Sequence, residues 1–193
     1  MTFFYQKDYM NNSNIISQTK SWIEQFVIGY NLCPFAAQPF HQDRIKYVLV
    51  GGEEVEPLVE TVFQECIHLQ DTDPMEVETT ILIHPGILTD FEDYLAVLGQ
   101  MQDDLEELQL EGVVQLATFH PDYQFAGTNQ NDPENFTNRS PYPMIHILRE
   151  ESVEKAINSH SDTENIPLEN IKTMNGIGRE ALILKRNEII GKN

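Results

Sequence analysis

The sequence has few cysteines, little positive charge and no long apolar run. Its two cysteines, Cys33 and Cys66, form no CxxC pair and no disulfide framework. No segment approaches the roughly 18–20 consecutive apolar residues that span a bilayer. The N-terminal stretch MTFFYQKDYMNNSN lacks the basic-then-apolar pattern of a signal peptide. We therefore expect a soluble, cytoplasmic, bacterial-type protein without a membrane span.

Positive charge is scarce, because 12 lysines and arginines stand against 31 aspartates and glutamates, for a formal net charge of −19. Such a surface repels phosphates, which argues against nucleic acid and anionic membranes as partners. One or two arginines can still hold a single anion inside an acidic protein. A small anionic molecule is therefore the expected partner.

The length of 193 residues and the 40% apolar content predict one domain with a real core. We expect a flexible N-terminal arm over residues 1–13 and a single α/β domain over residues 14–193. The helical spacing of apolar residues from Ile15 onward predicts an N-terminal helix, and the region around Gly176 predicts one or two short C-terminal helices.

The middle of the chain alternates apolar runs with amphipathic stretches. Strands are predicted near residues 45–52, 78–85 and 113–119, and helices are predicted from about Glu54 and Thr89. This βαβαβ order predicts a three-strand, mostly parallel core flanked by helices.

Two of the predicted strands end in the same dipeptide, in ILIHP and ATFHP. Proline disfavours helical backbone at the residue before it and ends the strand ladder. If the strands are parallel, Gly51, His84 and His120 emerge at one edge of the sheet. Ligands of open α/β sheets bind at the carboxyl ends of the strands.

The stretch after His120 predicts an anion site. Ser140 followed by Pro141 is typical of a helix start, and we predict a helix over residues 140–157. Free N–H groups at a helix start attract anions, and Arg139 beside it offers a fork of donors. Tyr142, His146 and Arg149 fall on one stripe of this predicted helix.

The first functional hypothesis is an enzyme that acts on a small substrate carrying phosphate or carboxylate. His120 is the predicted acid or base, and Asp122 is predicted to orient it. The residues expected to bind the substrate are His84, Tyr123, Asn138, Arg139, Ser140, Tyr142 and Arg149.

Two alternatives stay open. In the first, His84, His120 and His146 bind zinc or iron, although no tight motif such as HExxH is present. In the second, the same cleft binds or senses an anion without catalysis. Each histidine also has a structural interpretation, in which hydrogen bonds to neighbours hold it in place.

Several segments of the chain resemble a known family. They are NLCPFA, the HP after the second strand with DFEDY behind it, FHPDYQFAG, and TNRSPYPMIHILRE. Over about residues 15–180 the sequence is similar to the bacterial family catalogued as domain of unknown function 1415. The family name implies no activity, so the resemblance assigns no residue a role.

Overall fold

The computed structural model describes residues 2–159 and 163–192, with side chains from residue 12 onward. Within these residues the sheet has four strands, β1 (Ile45–Leu49), β2 (Thr79–Ile83), β3 (Val114–Phe119) and β4 (Met144–Arg149). Their order across the sheet is β1-β2-β4-β3. β1 and β2 are parallel, and β4 is antiparallel to both β2 and β3.

The predicted three-strand parallel core is not confirmed, because an antiparallel strand lies between the second and third strands. This strand, β4, replaces the first part of the helix predicted over residues 140–157. Ser140 and Tyr142 each precede a proline, which disfavours helical backbone at both positions. Ile145 and Ile147 are β-branched and suit a buried strand. Helix formation therefore begins only at Glu150.

Three of the four strands still end at one edge of the sheet. Two antiparallel steps restore the original direction, so β1, β2 and β3 still end at the same edge of the sheet. The loops that follow β1 and β2 approach closely there. A Cβ atom on Gly86 would lie 2.7 Å from the carbonyl oxygen of Gly52, so only glycine fits without a backbone shift.

Helices surround the sheet. They are α1 (Thr2–Trp22), α2 (Ala37–His41), α3 (Glu56–Asp71), α4 (Phe91–Glu107), α5 (Glu150–Ser159), α6 (Ile166–Ile177) and α7 (Arg179–Ile189), with a π-helical segment at Ile23–Ile28 and 3-10 turns at Pro133–Thr137 and Thr163–Asn165. Residues 2–13, predicted as an arm, form the first part of α1. Within the described chain, no helix is long and apolar enough to cross a membrane.

The sheet has a hydrophobic cluster on each face. Successive residues of a strand point to opposite faces, so Leu82 packs with α3 and α4 while Ile81 and Ile83 pack with α1, α6 and α7. Cys66 of α3 is fully buried in the same cluster as Leu82. The outcome is a mixed α/β fold with helices on both faces of one sheet.

The helix α4 begins with a side-chain cap. The Asp90 carboxylate accepts hydrogen bonds from the backbone N–H groups of Glu92 (2.9 Å) and Asp93 (3.1 Å). We expect Asp90→Ala to lower the free energy of unfolding by about 1 kcal/mol, because both N–H groups lose their acceptor. Urea unfolding measures this loss. Asp103→Ala, an exposed position of α4 far from the cap, is the matched control, and an equal loss in both variants would contradict the cap.

Candidate functional site

The two histidines at the strand ends both contact the ring of one tyrosine, Tyr94. His84 follows β2, His120 follows β3, and each has an exposed fraction of 0%. The ring of Tyr94 in α4 lies 5.9 Å from the ring of His84 and 5.2 Å from that of His120, measured between centroids. The Tyr94 hydroxyl donates to the Met144 carbonyl, which fastens α4 to the start of β4. The rings of Phe91 and Tyr123 extend this group.

Both ring nitrogens of His120 are engaged by backbone groups. The N–H of Asp122 donates to Nδ1 (3.0 Å), so Nε2 carries the proton and donates to the carbonyl of Leu88 (3.2 Å). Burial lowers the pKa of His120, although the Leu88 carbonyl partly opposes this. The ring is therefore neutral and held in one orientation. Asp122 orients it through its backbone N–H, whereas its exposed carboxylate makes no hydrogen bond to the ring.

His84 differs from His120 in having one free nitrogen. Its Nδ1 donates to the carbonyl of Ile87 (2.8 Å), which leaves Nε2 as an acceptor. This Nε2 is buried and has no hydrogen-bond partner among the described residues. Burial lowers the pKa of His84 to about 4, so the ring is neutral near pH 7. A neutral imidazole with an anchored Nδ1 and a free Nε2 can accept a proton or a hydrogen bond.

The segment between His120 and Ser140 is an organised loop. The buried side chain of Asn135 accepts hydrogen bonds from the Phe125 N–H and the Thr128 hydroxyl, and donates to the Asn129 carbonyl. Arg139 binds the same loop, donating from Nε to the Tyr123 carbonyl (2.9 Å) and from Nη2 to the Gln130 carbonyl (2.7 Å). These contacts give the loop a fixed shape over the strand end.

Ser140 does not start a helix, so the anion site predicted at a helix N-terminus is not formed. Its hydroxyl donates to the carbonyl of Tyr142 within the turn. The Asn138 side chain donates to the Thr118 carbonyl (3.1 Å) and joins the loop to β3. The Tyr142 hydroxyl donates to Gln18 of α1. All three side chains make structural contacts within the fold.

Arg149 lies at the opposite edge of the sheet. The antiparallel register pairs Met144 with Phe119 and Arg149 with Val114, so β4 carries Arg149 away from the strand ends. Arg149 there donates to the carbonyls of Thr72 (2.7 Å) and Val77 (2.9 Å). The helical stripe that would place Arg149 with Tyr142 does not exist. Arg149 is therefore not part of the site.

The three histidines of the metal hypothesis are not brought together. His146 alternates with Ile145 and Ile147, so it faces the α1 and α7 side, whereas His84 and His120 contact α4. Its Nε2 lies 2.7 Å from the Thr79 hydroxyl, and burial lowers its pKa to about 4. Across residues 2–159 and 163–192, no group of three His, Cys, Asp or Glu could hold a metal ion. The predicted zinc or iron site on these ligands is not supported.

The structure adds a residue that the sequence analysis missed. Arg186 of α7 donates from Nη1 to the carbonyl of Pro121 (2.8 Å), directly beside the predicted site. A signal was present, since Arg186 falls at helical spacing between the buried residues Leu182 and Ile189. An arginine on the buried face of a helix needs acceptors.

The fold and the site define a mixed α/β protein with two buried histidines and two arginines gathered where its strands end. A family model described as protein of unknown function (DUF1415) matches residues 14–183. The chain belongs to this family. No curated protein and no solved structure gives a significant match.

Proposed function

We propose that the protein is an enzyme that binds a small molecule carrying phosphate or carboxylate at the strand-end site. The observation that carries this proposal is the state of Arg139. Arg139 is buried, with an exposed fraction of 6%. It forms no ion pair with any carboxylate of the described chain, although the sequence has 31 acidic residues. A buried cation without a counter-ion is costly, which an anionic ligand would offset.

Arg139 also has hydrogen-bond donors that no described residue accepts. Its Nε and Nη2 bind carbonyl oxygens, and its Nη1 makes no hydrogen bond to any residue that the structure describes. The guanidinium lies over the Phe136 ring, with Cζ 5.0 Å from the ring centroid. The carbonyls and the ring fix the orientation of the fork before any ligand arrives. Preorganised donors of this kind suit the planar or tetrahedral oxygens of carboxylate and phosphate.

The acid–base role belongs to His84 in this proposal. Both ring nitrogens of His120 make hydrogen bonds to the backbone. The Nε2 of His84, at the same edge of the sheet, has a lone pair without a partner in the described chain. A general base must be unprotonated at the working pH, and the lowered pKa of His84 keeps it so. A small anion is the expected ligand rather than nucleic acid, because the acidic surface repels a chain of phosphates.

We expect Arg139→Lys to weaken sulfate and acetate binding by about tenfold, because the charge remains while the fork is lost. The probe is an NMR titration with each anion at constant ionic strength, following the Arg186 Nε–H signal in both proteins and the Arg139 Nε–H signal in the wild type. Thermal unfolding of the variant checks that it folds, since Arg139 also braces the loop.

Lys172→Gln serves as the matched control for charge, because Lys172 is exposed on α6, where it forms an ion pair with Glu169 of the same helix. Its affinity for both anions should equal that of the wild type. If neither anion moves the Arg139 signal at concentrations well above about 1 mM, where even weak sites fill, the proposal is wrong.

A second candidate is a binding module without catalysis. It is favoured by the complete burial of His84 and by the engagement of both nitrogens of His120. A turnover screen over phosphate monoesters and carboxylic acids separates the two candidates. Turnover that His84→Asn abolishes while sulfate still binds supports the enzyme. Binding of sulfate with no turnover across the screen supports the module.

A further inference from the structure

Two arginines from distant parts of the chain meet at one aromatic ring. The Cζ atoms of Arg139 and Arg186 lie 5.0 Å and 5.5 Å from the centroid of Phe136. Phe136 is buried in the 3-10 turn Pro133–Thr137, and its 1% exposed fraction leaves its position fixed by the core. Both guanidinium groups therefore contact the same ring, and the charge of Arg186 acts on Arg139 although like charges repel.

The same two arginines bind the backbone on either side of Asp122. Arg186 donates to the carbonyl of Pro121 (2.8 Å), and Arg139 donates to the carbonyl of Tyr123 (2.9 Å). Each contact uses one N–H of a guanidinium that carries five. Most donors of Arg186, and the Nη1 of Arg139, remain without an acceptor in the described chain.

A third arginine lies on the same face of α7. Arg179, Leu182, Arg186 and Ile189 follow at helical spacing, so they form one stripe, of which Leu182 and Ile189 are buried. Arg179 is exposed at the start of the helix and makes no hydrogen bond or ion pair with a described residue. Burial lowers the pKa of Arg139 most, and the charges of Arg186 and Arg179 lower it further.

The cluster has an excess of positive charge. The ion pairs of the described chain use other cations, namely Arg44, Lys46, Lys155, Lys172 and Lys185. Asp122 is the carboxylate whose charge acts on Arg139 and Arg186, yet it pairs with neither. Three arginines against one aspartate leave about two positive charges, in a chain whose formal net charge is −19.

We propose that Arg139, Arg179 and Arg186 form one binding site for a doubly charged anion, of the class of a phosphate monoester. This inference rests on the proposed function and adds the substrate class and the role of α7. A dianion matches the local excess charge, whereas a single carboxylate leaves half of it uncompensated. Two guanidinium forks and the Phe136 platform suit a tetrahedral group with three or more oxygens.

A purely structural role would account for part of these contacts. Arg139 and Arg186 could serve only to brace the Pro121–Tyr123 turn against α7. A brace has no use for Arg179, which touches no acceptor in the described chain. Arg179 therefore separates an anion site from a brace, and its exposure makes its replacement harmless to folding.

The experiment is a titration of the full chain with sulfate and with acetate at constant ionic strength, followed by NMR of the arginine Nε–H signals. The wild type should bind sulfate at least tenfold more tightly than acetate. Arg179→Gln should weaken sulfate about threefold, as expected for one exposed charge, and acetate less. Lys172→Gln removes the same charge from the neighbouring helix and should change neither affinity.

The outcomes separate this inference from the proposed function. If sulfate and acetate bind equally well and Arg179→Gln behaves like Lys172→Gln, the site is that of Arg139 alone, and the dianion inference is overturned. If neither anion binds, the proposed function fails as well. Arg186→Lys provides a second variant: a roughly tenfold loss of sulfate affinity in a normally folded protein supports the inference, and an unchanged affinity overturns it.

Discussion

Lowering the pH from about 7.5 to about 5 should remove about 2–4 kcal/mol of folding stability through His84 and His146 together. Burial lowers the pKa of each from 6.5 to about 4. Between these values the unfolded chain binds protons that the folded chain does not. The stability that these residues contribute is therefore complete above about pH 6.5 and is lost as the pH falls toward 4.

The measurement is urea unfolding across this pH range, followed by the fluorescence of the single, buried Trp22. Carboxylates also titrate here, and neutralising them relieves the repulsion of a strongly acidic chain. Subtracting the free energy of unfolding of His146→Gln from that of the wild type cancels the contribution of the carboxylates, which both proteins share. The free energy of unfolding of the wild type minus that of the variant should fall by about 1–2 kcal/mol from pH 7.5 to pH 5, because the variant lacks the histidine that destabilises the wild type at low pH.

His68→Gln is the control for this comparison, because His68 is exposed on α3. His68→Gln removes a histidine ring of the same size from the surface, so it shows the effect of the substitution alone. If the difference in free energy of unfolding between the wild type and His146→Gln changes no more with pH than that for His68→Gln, the lowered pKa of His146 is contradicted.

Replacing His120 with alanine should lower the free energy of unfolding by about 3 kcal/mol. The ring is fully buried against Phe91 and Tyr94, so its removal leaves a cavity. It also leaves the Leu88 carbonyl and the Asp122 N–H without their partner. Urea unfolding at pH 7.5 measures the loss, with His68→Ala as the exposed control.

This result would decide between two roles for His120. A residue kept for catalysis is often replaceable without loss of stability, because active sites carry strain that their removal relieves. A residue that connects two loops is not. A loss below about 1 kcal/mol would contradict the structural role and return His120 to the list of acid–base residues.

The structural role of His120 also explains why the shared His-Pro dipeptide was ambiguous. Both histidines follow a strand and precede a proline, and the sequence alone gives them equal standing. Their difference comes from what surrounds them. Asp122 turns back to donate to His120, whereas Ile87 binds only the Nδ1 of His84. Whether a histidine finds a second hydrogen-bond partner depends on the conformation of the loop after it, which the spacing of apolar residues does not predict.

The predicted anion site shows a similar division. Arg139 was expected to hold an anion, which stays a prediction, but the helix start beside it was wrong. The segment Met144–Arg149 is short enough to suit a helix or a strand, and the prolines at positions 141 and 143 indicate the strand. Arg186 was missed because its contact with Pro121 spans 65 residues of sequence.

The sequence by itself determined the types of most elements, because hydrophobic periodicity and helix-breaking residues act locally. It placed β1, β2, β3 and the helices α3 and α4, and its motifs identified the family. The tertiary structure alone decided where β4 pairs, which histidine keeps a free nitrogen, and which arginines meet at Phe136. Those choices depend on contacts between distant segments, whose energies come from burial and pairing rather than from local propensity.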